Sequence, residues 1–349
     1  MSSLSAESRS QLLGRLFPEG IPRLWCPAIT HYNRDGGIDA ARMAAHLRHM
    51  SANVRGYLIP GSTGDGWELN DSEIKELLGI VVQSARELDL HLVIGALKPD
   101  AARVLKFIWD TMHRLGWTWN CGDVNQPLAN AHVRGFVVCP PHGKAITQFK
   151  MKQALEAILD SEIPIALYQL PQVTENEMSP ELVSDLAGRF NNFFMFKDTS
   201  GTDRVVLSEK EVGGVFMVRG AERNYAKWLK AAGGRYDGFL LSTANCFAKE
   251  LREMITYLEG GQIDAANKIS EQLTGIISDV FELVSPFPHG NAFANANKAM
   301  DHFFAFGPKA ATVPAPRLHA GKSLPSEMIV QTGKILESYG LMPAKGYLV

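Results

Sequence analysis

A single lysine, Lys197, ends a run of four large apolar residues and is placed where covalent chemistry is possible. The run 193–196 (Phe-Phe-Met-Phe) is typical of a parallel strand buried on both faces, and the turn-forming 198–201 (Asp-Thr-Ser-Gly) follows directly. Burial disfavours the ammonium form and lowers the pKa of an amine, as a Schiff-base lysine requires. The alternative is a strand-end lysine that extends to solvent.

Tyr168, at the end of the apolar run 163–168, is the candidate for proton transfer beside such a lysine. Schiff-base formation needs a group that moves protons, and a phenol within hydrogen-bond reach can do so. A neighbouring cationic amine would also favour the phenolate. The alternative is a core tyrosine whose hydroxyl bonds to the backbone.

A glycine-rich loop, residues 61–66 (Gly-Ser-Thr-Gly-Asp-Gly), is the candidate for anion binding. Backbone N–H groups of a tight turn can bind a carboxylate, and the hydroxyls of Ser62 and Thr63 add donors. The loop lacks the Gly-Lys-Ser/Thr ending of a P-loop and the glycine spacing of a dinucleotide fingerprint, so nucleotide binding is disfavoured. The alternative is an ordinary glycine-rich turn.

These residues must be positioned by a larger framework, and apolar runs alternate with amphipathic segments along most of the chain. The predicted strands span residues 23–29, 56–60, 90–94, 135–139, 163–168, 193–197, 215–218 and 237–241. The predicted helices include one capped at Asn70 that runs to residue 88, one over 148–159, one that starts at a Ser179 cap, and one over 224–232. Eight strands, each followed by a helix, predict an α/β fold of the (β/α)8 TIM barrel type rather than a doubly wound sheet.

The predicted barrel takes residues 21–260 and is flanked by helical regions. Residues 1–20 are predicted to form an N-terminal helical extension, with a helix from Ala6 to Phe17. Residues 261–349 are predicted to form a C-terminal helical region that packs on the barrel. Its predicted helices span 263–284, 291–306 and 325–339.

Barrel topology gives the scattered polar residues a common location, because catalytic groups of such barrels gather where strands end and the following loops begin. The candidates at predicted strand ends are Gly61, Ser62, Thr63, His142, Tyr168, Lys197 and Asn245. We therefore predict that they converge on one site, although no single position is specific.

Composition excludes several classes of function. The 349 residues are 46% hydrophobic with a formal net charge of −2, which gives no reason to expect nucleic acid or an anionic membrane as partner. Residues 1–20 lack the apolar core of a signal peptide, and no apolar run reaches the ~18 residues of a membrane span. The four cysteines are scattered, and Cys26 and Cys139 lie in predicted strands, so we expect buried, reduced thiols in a cytoplasmic protein.

Three segments together carry a family resemblance: 61–66, 167–171 (Leu-Tyr-Gln-Leu-Pro) and 196–201 (Phe-Lys-Asp-Thr-Ser-Gly). They resemble the patterns G-[ST]-T-G-E, Y-N-x-P and K-[DQ]-[ST]-[SA]-G of the family of dihydrodipicolinate synthase and N-acetylneuraminate lyase. The order and spacing agree over residues 20–300, and residues 241–245 are similar to the family's segment at strand eight. The combination is specific, whereas each motif alone is not.

The resemblance implies a homo-oligomeric lyase, a dimer or tetramer, with no metal or organic cofactor. It implies that Lys197 forms a Schiff base with pyruvate or another 2-keto acid and that Tyr168 moves protons. In the family the second hydroxyl residue of the glycine-rich motif joins the tyrosine in a proton relay, and Thr63 matches that position.

Several residues depart from the family pattern. Dihydrodipicolinate synthases place an arginine shortly after the strand-five tyrosine, whereas 172–174 here is Gln-Val-Thr and the first arginine after Tyr168 is Arg189. Loss of that charge-assisted clamp argues against aspartate semialdehyde as the second substrate. His142 lies near the position of the family's second tyrosine, Gln169 replaces an asparagine, and Asp65 replaces a glutamate.

Two further groups of residues leave alternatives open. The segment 116–134, with Trp117 and Trp119, has no counterpart in the family pattern and is predicted to be a surface excursion, with an oligomer contact as the alternative. Polar residues of the last region are predicted to lie on a helix surface, with contact to the site as the alternative. They are Asn295, Asn297 and Lys298.

The sequence therefore predicts a Schiff-base lyase of the class I aldolase type that acts on a 2-keto acid and cleaves or forms a carbon–carbon bond. Dehydration of a 2-keto-3-deoxy sugar acid is the first alternative. A barrel that binds keto acids without turnover is the alternative of another class.

Overall fold

A computed structural model of the protein describes residues 7–119 and 126–349. Eight parallel strands, hydrogen-bonded in chain order, close into a barrel, so the predicted (β/α)8 fold is confirmed. The strands are β1 (Leu24–Cys26), β2 (Gly56–Ile59), β3 (His91–Gly95), β4 (Val133–Val138), β5 (Ile165–Gln169), β6 (Phe193–Asp198), β7 (Phe216–Arg219) and β8 (Gly238–Leu240).

Thirteen α-helices lie in the described parts of the chain. They are α1 (Arg9–Leu16), α2 (Ala40–Met50), α3 (Asp71–Leu88), α4 (Ala101–Trp119), α5 (Gln126–Asn130), α6 (Gln148–Leu159), α7 (Pro171–Thr174), α8 (Pro180–Arg189), α9 (Arg204–Leu207), α10 (Ala244–Glu259), α11 (Ile263–Val284), α12 (Ala292–Phe306) and α13 (Ser326–Ser338). Helices α6 and α11 have the predicted boundaries.

Local capping explains where several helices begin. The Asn70 side chain accepts hydrogen bonds from the N–H groups of Ser72 and Glu73, and the Glu73 carboxylate accepts one from the Asn70 N–H, which forms a capping box for α3. Helix α8 begins at Pro180 after Ser179, whose hydroxyl accepts from the Leu182 N–H.

One predicted helix, residues 224–232, is wrong. The structure has two short 3-10 turns instead, Ala226–Trp228 and Lys230–Ala232. The backbone explains the difference, because Asn224 has a positive φ of 53° and Leu229 between the turns is extended. No continuous helix can pass through an extended residue.

The described chain divides into two compact units. The first takes residues up to Arg23 with 93–221 and 235–239, and the second takes 24–92, 222–234 and 240–349. The predicted division of the chain at residues 20 and 260 stays a prediction.

Within the first unit, the N-terminal helix is tied to the lysine strand by one buried arginine. The Arg9 guanidinium donates hydrogen bonds to the carbonyls of Phe193 at 2.7 Å and Phe190 at 2.8 Å, and also to those of Ala187 and Gly213. These charge-assisted bonds satisfy four carbonyl groups, including one at the start of β6. The N-terminal helix is therefore part of the packing that holds β6.

Other sequence expectations concern thiols, membrane spans and the segment 116–134. Cys26, Cys139 and Cys246 are buried free thiols, and Cys121 lies outside the described residues. Within the described ranges, none of the helices combines the length and apolar character that a membrane span requires. The structure does not describe residues 120–125 or the side chains of Trp117 and Trp119. The predicted surface excursion and the alternative of an oligomer contact both depend on them.

Candidate active site

Lys197 and Tyr168 lie side by side in the first unit. They are register partners on the adjacent parallel strands β5 and β6. Lys197 is only 3% exposed, and its Nζ lies 3.9 Å from the centroid of the Tyr168 ring. The structure thus brings together the two residues that sequence analysis assigned to nucleophile and proton transfer, with the amine over the ring face rather than in bulk solvent.

The ionisation of this pair follows from burial. Burial raises the pKa of the Tyr168 hydroxyl, the nearby Cys139 raises it further, and the nearby Thr199 hydroxyl lowers it only in part. The expected phenolate is therefore wrong, because desolvation outweighs the attraction of the neighbouring amine. Burial also raises the pKa of the Cys139 thiol. Near neutral pH the site presents a neutral phenol and a neutral thiol beside Lys197.

Gly220, which follows β7, leaves the space that the Lys197 side chain occupies. A Cβ at Gly220 would come within 2.8 Å of Lys197 Cε and 2.6 Å of Thr199 Oγ1. The sequence does not indicate this role, because a glycine after a strand is common in barrels and gives no sign of what it faces.

The methyl group added by Gly220→Ala must displace the Lys197 amine, and a misplacement of about 1 Å can lower a rate by on the order of 100-fold. We therefore expect this variant to slow adduct formation at Lys197 by roughly 10- to 100-fold. The rate of reductive trapping with pyruvate measures this. Gly188→Ala in α8 is the matched control, because a Cβ there meets nothing within 4 Å and alanine favours the helix. Equal rates in the two variants would show that Gly220 has no such role.

A second network that sequence analysis missed fixes the chain after β6. The Arg219 guanidinium makes a bidentate pair with Asp203, with Nε–Oδ1 at 2.9 Å and a second contact at 3.1 Å. The Tyr236 hydroxyl donates to the same carboxylate at 2.7 Å, and all three residues are buried. Asp198, the last residue of β6, accepts from the Ser200 N–H at 2.9 Å. The turn that follows Lys197 is therefore held by charge-assisted bonds.

The loops after β4 and β5 carry the remaining candidates of the first unit. His142 is half-buried after β4, and burial lowers the pKa of its imidazole, so its ring is neutral near pH 7. Gln172, in the region where the family places an arginine, donates its side-chain amide to the Thr199 carbonyl at 2.9 Å. The Gln169 side chain is buried and accepts from the Met178 N–H at 2.8 Å. A role for His142 in substrate binding stays a prediction.

In the second unit, Gly61, Ser62 and Thr63 form a tight turn directly after β2. Residues Ser62–Gly64 make one turn of 3-10 helix, and Thr63 is buried. A Cβ at Gly64 would lie 2.4 Å from the Ala28 carbonyl oxygen, so only glycine fits there. Their predicted role in carboxylate binding stays a prediction.

Asn245, also in the second unit, has its side chain fully used inside the protein. Its Oδ1 accepts from the Ile29 N–H at 3.0 Å, and its Nδ2 donates to the carbonyls of Pro27 and Ser242 at 3.1 and 2.8 Å. The same Oδ1 lies 3.1 Å from His46 Nε2. These contacts favour a structural role over the predicted substrate contact, because no polar atom is left to reach a ligand.

The same unit contains a cluster of polar side chains around the fully buried Asp301. Its carboxylate lies 3.0 Å from His46 Nδ1, 3.1 Å from Arg42, 3.0 Å from the Tyr347 hydroxyl and 3.6 Å from His31 Nε2. The other ring nitrogen of His46, Nε2, faces the Asn245 side chain, so the ring is held from both sides. The ligand atoms of His31, His46 and Asp301 lie within 4.8 Å of one another, a spacing that a metal ion could use. Arg42 already neutralises this carboxylate, so we interpret the cluster as an ion-pair network.

This cluster predicts acid sensitivity. Burial, and then the charge of Arg42, hold the pKa of His31 well below its usual value. The native state thus binds fewer protons than the unfolded chain below about pH 6.5, so stability falls as pH falls, by up to about 1.4 kcal/mol per pH unit for one group. We expect His31→Met to flatten the decrease in unfolding free energy between pH 7 and 5. Exposed His113→Met in α4 is the control, and an unchanged slope in both variants would contradict the assignment.

Comparisons with known proteins agree with this architecture. The pattern of the Dihydrodipicolinate synthetase family matches residues 122–294, a range that contains β5 and β6. A 4-hydroxy-tetrahydrodipicolinate synthase of Methanosarcina barkeri is 23% identical over 282 residues, which are 78% of this chain and 86% of that protein. One of Thermotoga neapolitana is 22% identical over 267 residues, 75% and 84% of the two chains.

Solved structures extend the likeness to most of the chain. The structure of YagE, a prophage protein of the dihydrodipicolinic acid synthase family from E. coli K12 in complex with pyruvate, superposes with a TM-score of 0.70 at 19% identity. The match covers 91% of this chain and 98% of YagE. Fold and comparisons together define a barrel protein of the (β/α)8 class with additional C-terminal helices. The chain belongs to the dihydrodipicolinate synthetase family.

Proposed function

We propose that this chain is a lyase that forms a Schiff base between Lys197 and the keto carbon of pyruvate or another 2-keto acid. The observation that carries the proposal is the buried Lys197 amine, 3.9 Å from the ring centroid of its register partner Tyr168. An amine in such surroundings loses much of the solvation that stabilises its cation, and the neutral amine is the nucleophile. The relatives named as synthases, and YagE with pyruvate, support the choice of substrate class.

The chemistry proceeds in balanced steps. The Lys197 nitrogen attacks the keto carbon, the keto oxygen takes up two protons and leaves as water, and an iminium forms. The iminium withdraws electrons, so the neighbouring carbon can lose a proton to give an enamine that attacks an aldehyde. Run in reverse, the same iminium accepts the electrons of a breaking carbon–carbon bond. Tyr168, as a neutral phenol, donates a proton first and recovers it later.

The second substrate differs from that of the named relatives. In the region where the family pattern has an arginine, the Gln172 side-chain amide donates a hydrogen bond to the Thr199 carbonyl, and Val173 is uncharged. An aldehyde with a carboxylate at that position would lose its charge-assisted clamp. The proposal is therefore an aldolase whose aldehyde partner is not aspartate semialdehyde. The homo-oligomer implied by the family resemblance stays a prediction.

Reductive trapping tests the proposal directly. The protein is incubated with pyruvate and borohydride, and the adduct is located by peptide mass spectrometry. We expect an adduct on Lys197, and the same yield from Lys144→Ala, which changes an exposed lysine with a side chain 82% accessible. Absence of an adduct across pyruvate and longer 2-keto acids would favour a binding protein without turnover. A turnover screen of aldehydes with pyruvate, and of 2-keto-3-deoxy sugar acids alone, then separates aldolase from dehydratase.

A further inference from the structure

The polar residues of α12 are buried, so their predicted place on a helix surface is wrong. Asn295 and Lys298 are each 1% exposed, and Asn297 is fully buried. Asn297 donates to the Phe293 carbonyl within the helix, and Asn295 donates to the His289 carbonyl. Lys298 instead reaches the glycine-rich turn after β2.

Lys298 forms a buried ion pair with Asp65, the residue that replaces the family's glutamate. Its Nζ lies 2.8 Å from Asp65 Oδ2, and the two side chains are 1% and 5% accessible. The Tyr32 hydroxyl donates to the same oxygen at 2.9 Å, and Nζ lies 4.7 Å from the Tyr32 ring centroid. One carboxylate oxygen therefore receives a charged and a neutral donor, both removed from water.

The backbone of Asp65 has a conformation that most residues avoid. Its φ is 60°, in the left-handed region, which aspartate and asparagine adopt more readily than other residues with a side chain. This conformation closes the turn, in which the Gly66 N–H donates to the Gly61 carbonyl at 2.9 Å and the Asp65 N–H to the Ser62 carbonyl at 3.3 Å. The two side-chain partners of the Asp65 carboxylate, Lys298 and Tyr32, hold the residue in this conformation.

Two more side chains fix the peptide planes of the turn. The Thr30 hydroxyl donates to the Gly64 carbonyl at 2.7 Å, and the Asn291 amide at the start of α12 donates to the Ser62 carbonyl at 3.2 Å. Because a peptide group is planar, fixing the Ser62 carbonyl also fixes the direction of the Thr63 N–H. Helix α12 thus determines the orientation of the turn at both Ser62 and Asp65.

We propose that Lys298 is a positioning residue that, through Asp65, holds the Gly61–Gly66 turn in the geometry that binds the substrate carboxylate. The proposal rests on the function proposed above. Preorganised donors bind an anion without the cost of ordering a loop, so loss of the pair weakens carboxylate binding. The carboxylate does not react, and its binding is alike in ground and transition states. Loss of the ion pair should therefore raise the pyruvate concentration that gives half-saturation and leave the maximal rate nearly unchanged.

The experiment measures the pyruvate concentration that gives half-maximal reductive trapping. We expect Lys298→Met to raise this concentration by about ten-fold, because even a small misplacement of binding groups weakens binding by about such a factor. The limiting yield of adduct should change little. Methyl pyruvate, which has the keto group without the free carboxylate, should show no such increase. Lys268→Met, at an exposed position of α11, is the control.

A second variant separates positioning from folding. Lys298→Met alone leaves the Asp65 charge buried without its cation and can unfold the protein. Asp65→Asn with Lys298→Met removes both charges, and asparagine tolerates a positive φ. We expect this double variant to fold and still to show the raised half-saturation for pyruvate.

Each outcome decides the proposal. Wild-type half-saturation in the double variant, or an equal increase for pyruvate and methyl pyruvate, would overturn the role of Lys298 and leave the proposed function intact. Absence of any adduct in the wild-type protein would overturn the proposed function, and this inference with it.

Discussion

Lys197→Met is expected to abolish the pyruvate adduct and to lower turnover by roughly four or more orders of magnitude, as loss of a covalent nucleophile does in other enzymes. Methionine keeps the length and apolar character of the stem, which fills space between β5 and β7. It also replaces the amine of a side chain that is 97% buried by a group that needs no hydrogen-bond partner of its own. The variant should therefore be inactive and still folded.

Peptide mass spectrometry after trapping, turnover assays and thermal unfolding check these expectations together. Among the described lysines, only Lys197 and Lys298 are buried, so Lys298 is the informative comparison. An adduct that persists in Lys197→Met and maps to Lys298 would reassign the nucleophile. Retained turnover without any adduct would remove Schiff-base chemistry from the account.

The lysine strand shows which features of a fold can be predicted from sequence. An uninterrupted apolar run followed by turn-forming residues is typical of a strand buried on both faces, and β6 begins at Phe193 as predicted. Helix starts were predictable where the cap is local, as at Asn70 and Ser179, because each capping residue bonds within three positions of itself. That Tyr168 and Lys197 lie on adjacent strands follows from the order of the strands, whereas their register is seen only in the structure.

The supporting residues of the site could not be predicted in the same way. Arg219 and Lys298 act through ion-pair partners that lie 16 and 233 positions away in the sequence. Gly220 acts through the space that its missing side chain leaves for Lys197. Nothing in the local sequence of α12 distinguishes a buried lysine from an exposed one until its aspartate partner is known. The family resemblance indicated which residues would react, whereas only the structure shows which residues support them.

The phenol also illustrates how burial can reverse an electrostatic expectation. From sequence, a lysine beside a tyrosine favours the phenolate, because only the charge pair is visible. In the structure Tyr168 is 2% exposed and its pKa is raised, because desolvation is the larger effect. A neutral phenol can donate a proton to the departing keto oxygen, which a phenolate cannot. Burial therefore prepares Tyr168 for the first proton transfer of the proposed reaction.

Tyr168→Phe is accordingly expected to lower turnover by about 10²- to 10³-fold, within the range typical of lost proton-transfer groups. The ring that contacts the Lys197 amine is kept, so the adduct should still form but more slowly, and the fold should remain intact. Trapping rates, turnover and thermal unfolding measured on one preparation separate these effects. Tyr57→Phe is the matched control, because it removes another buried hydroxyl, one that donates to the Val54 carbonyl at 3.1 Å.

A comparable loss of turnover in Tyr57→Phe would attribute the effect to stability rather than to proton transfer. Full activity of Tyr168→Phe would instead exclude the phenol from the mechanism and leave the neighbouring Thr199 hydroxyl as the candidate proton carrier. Since threonine has no accessible anionic form, turnover carried by that hydroxyl must pass protons to water. A solvent isotope effect larger in Tyr168→Phe than in the wild type would identify this route.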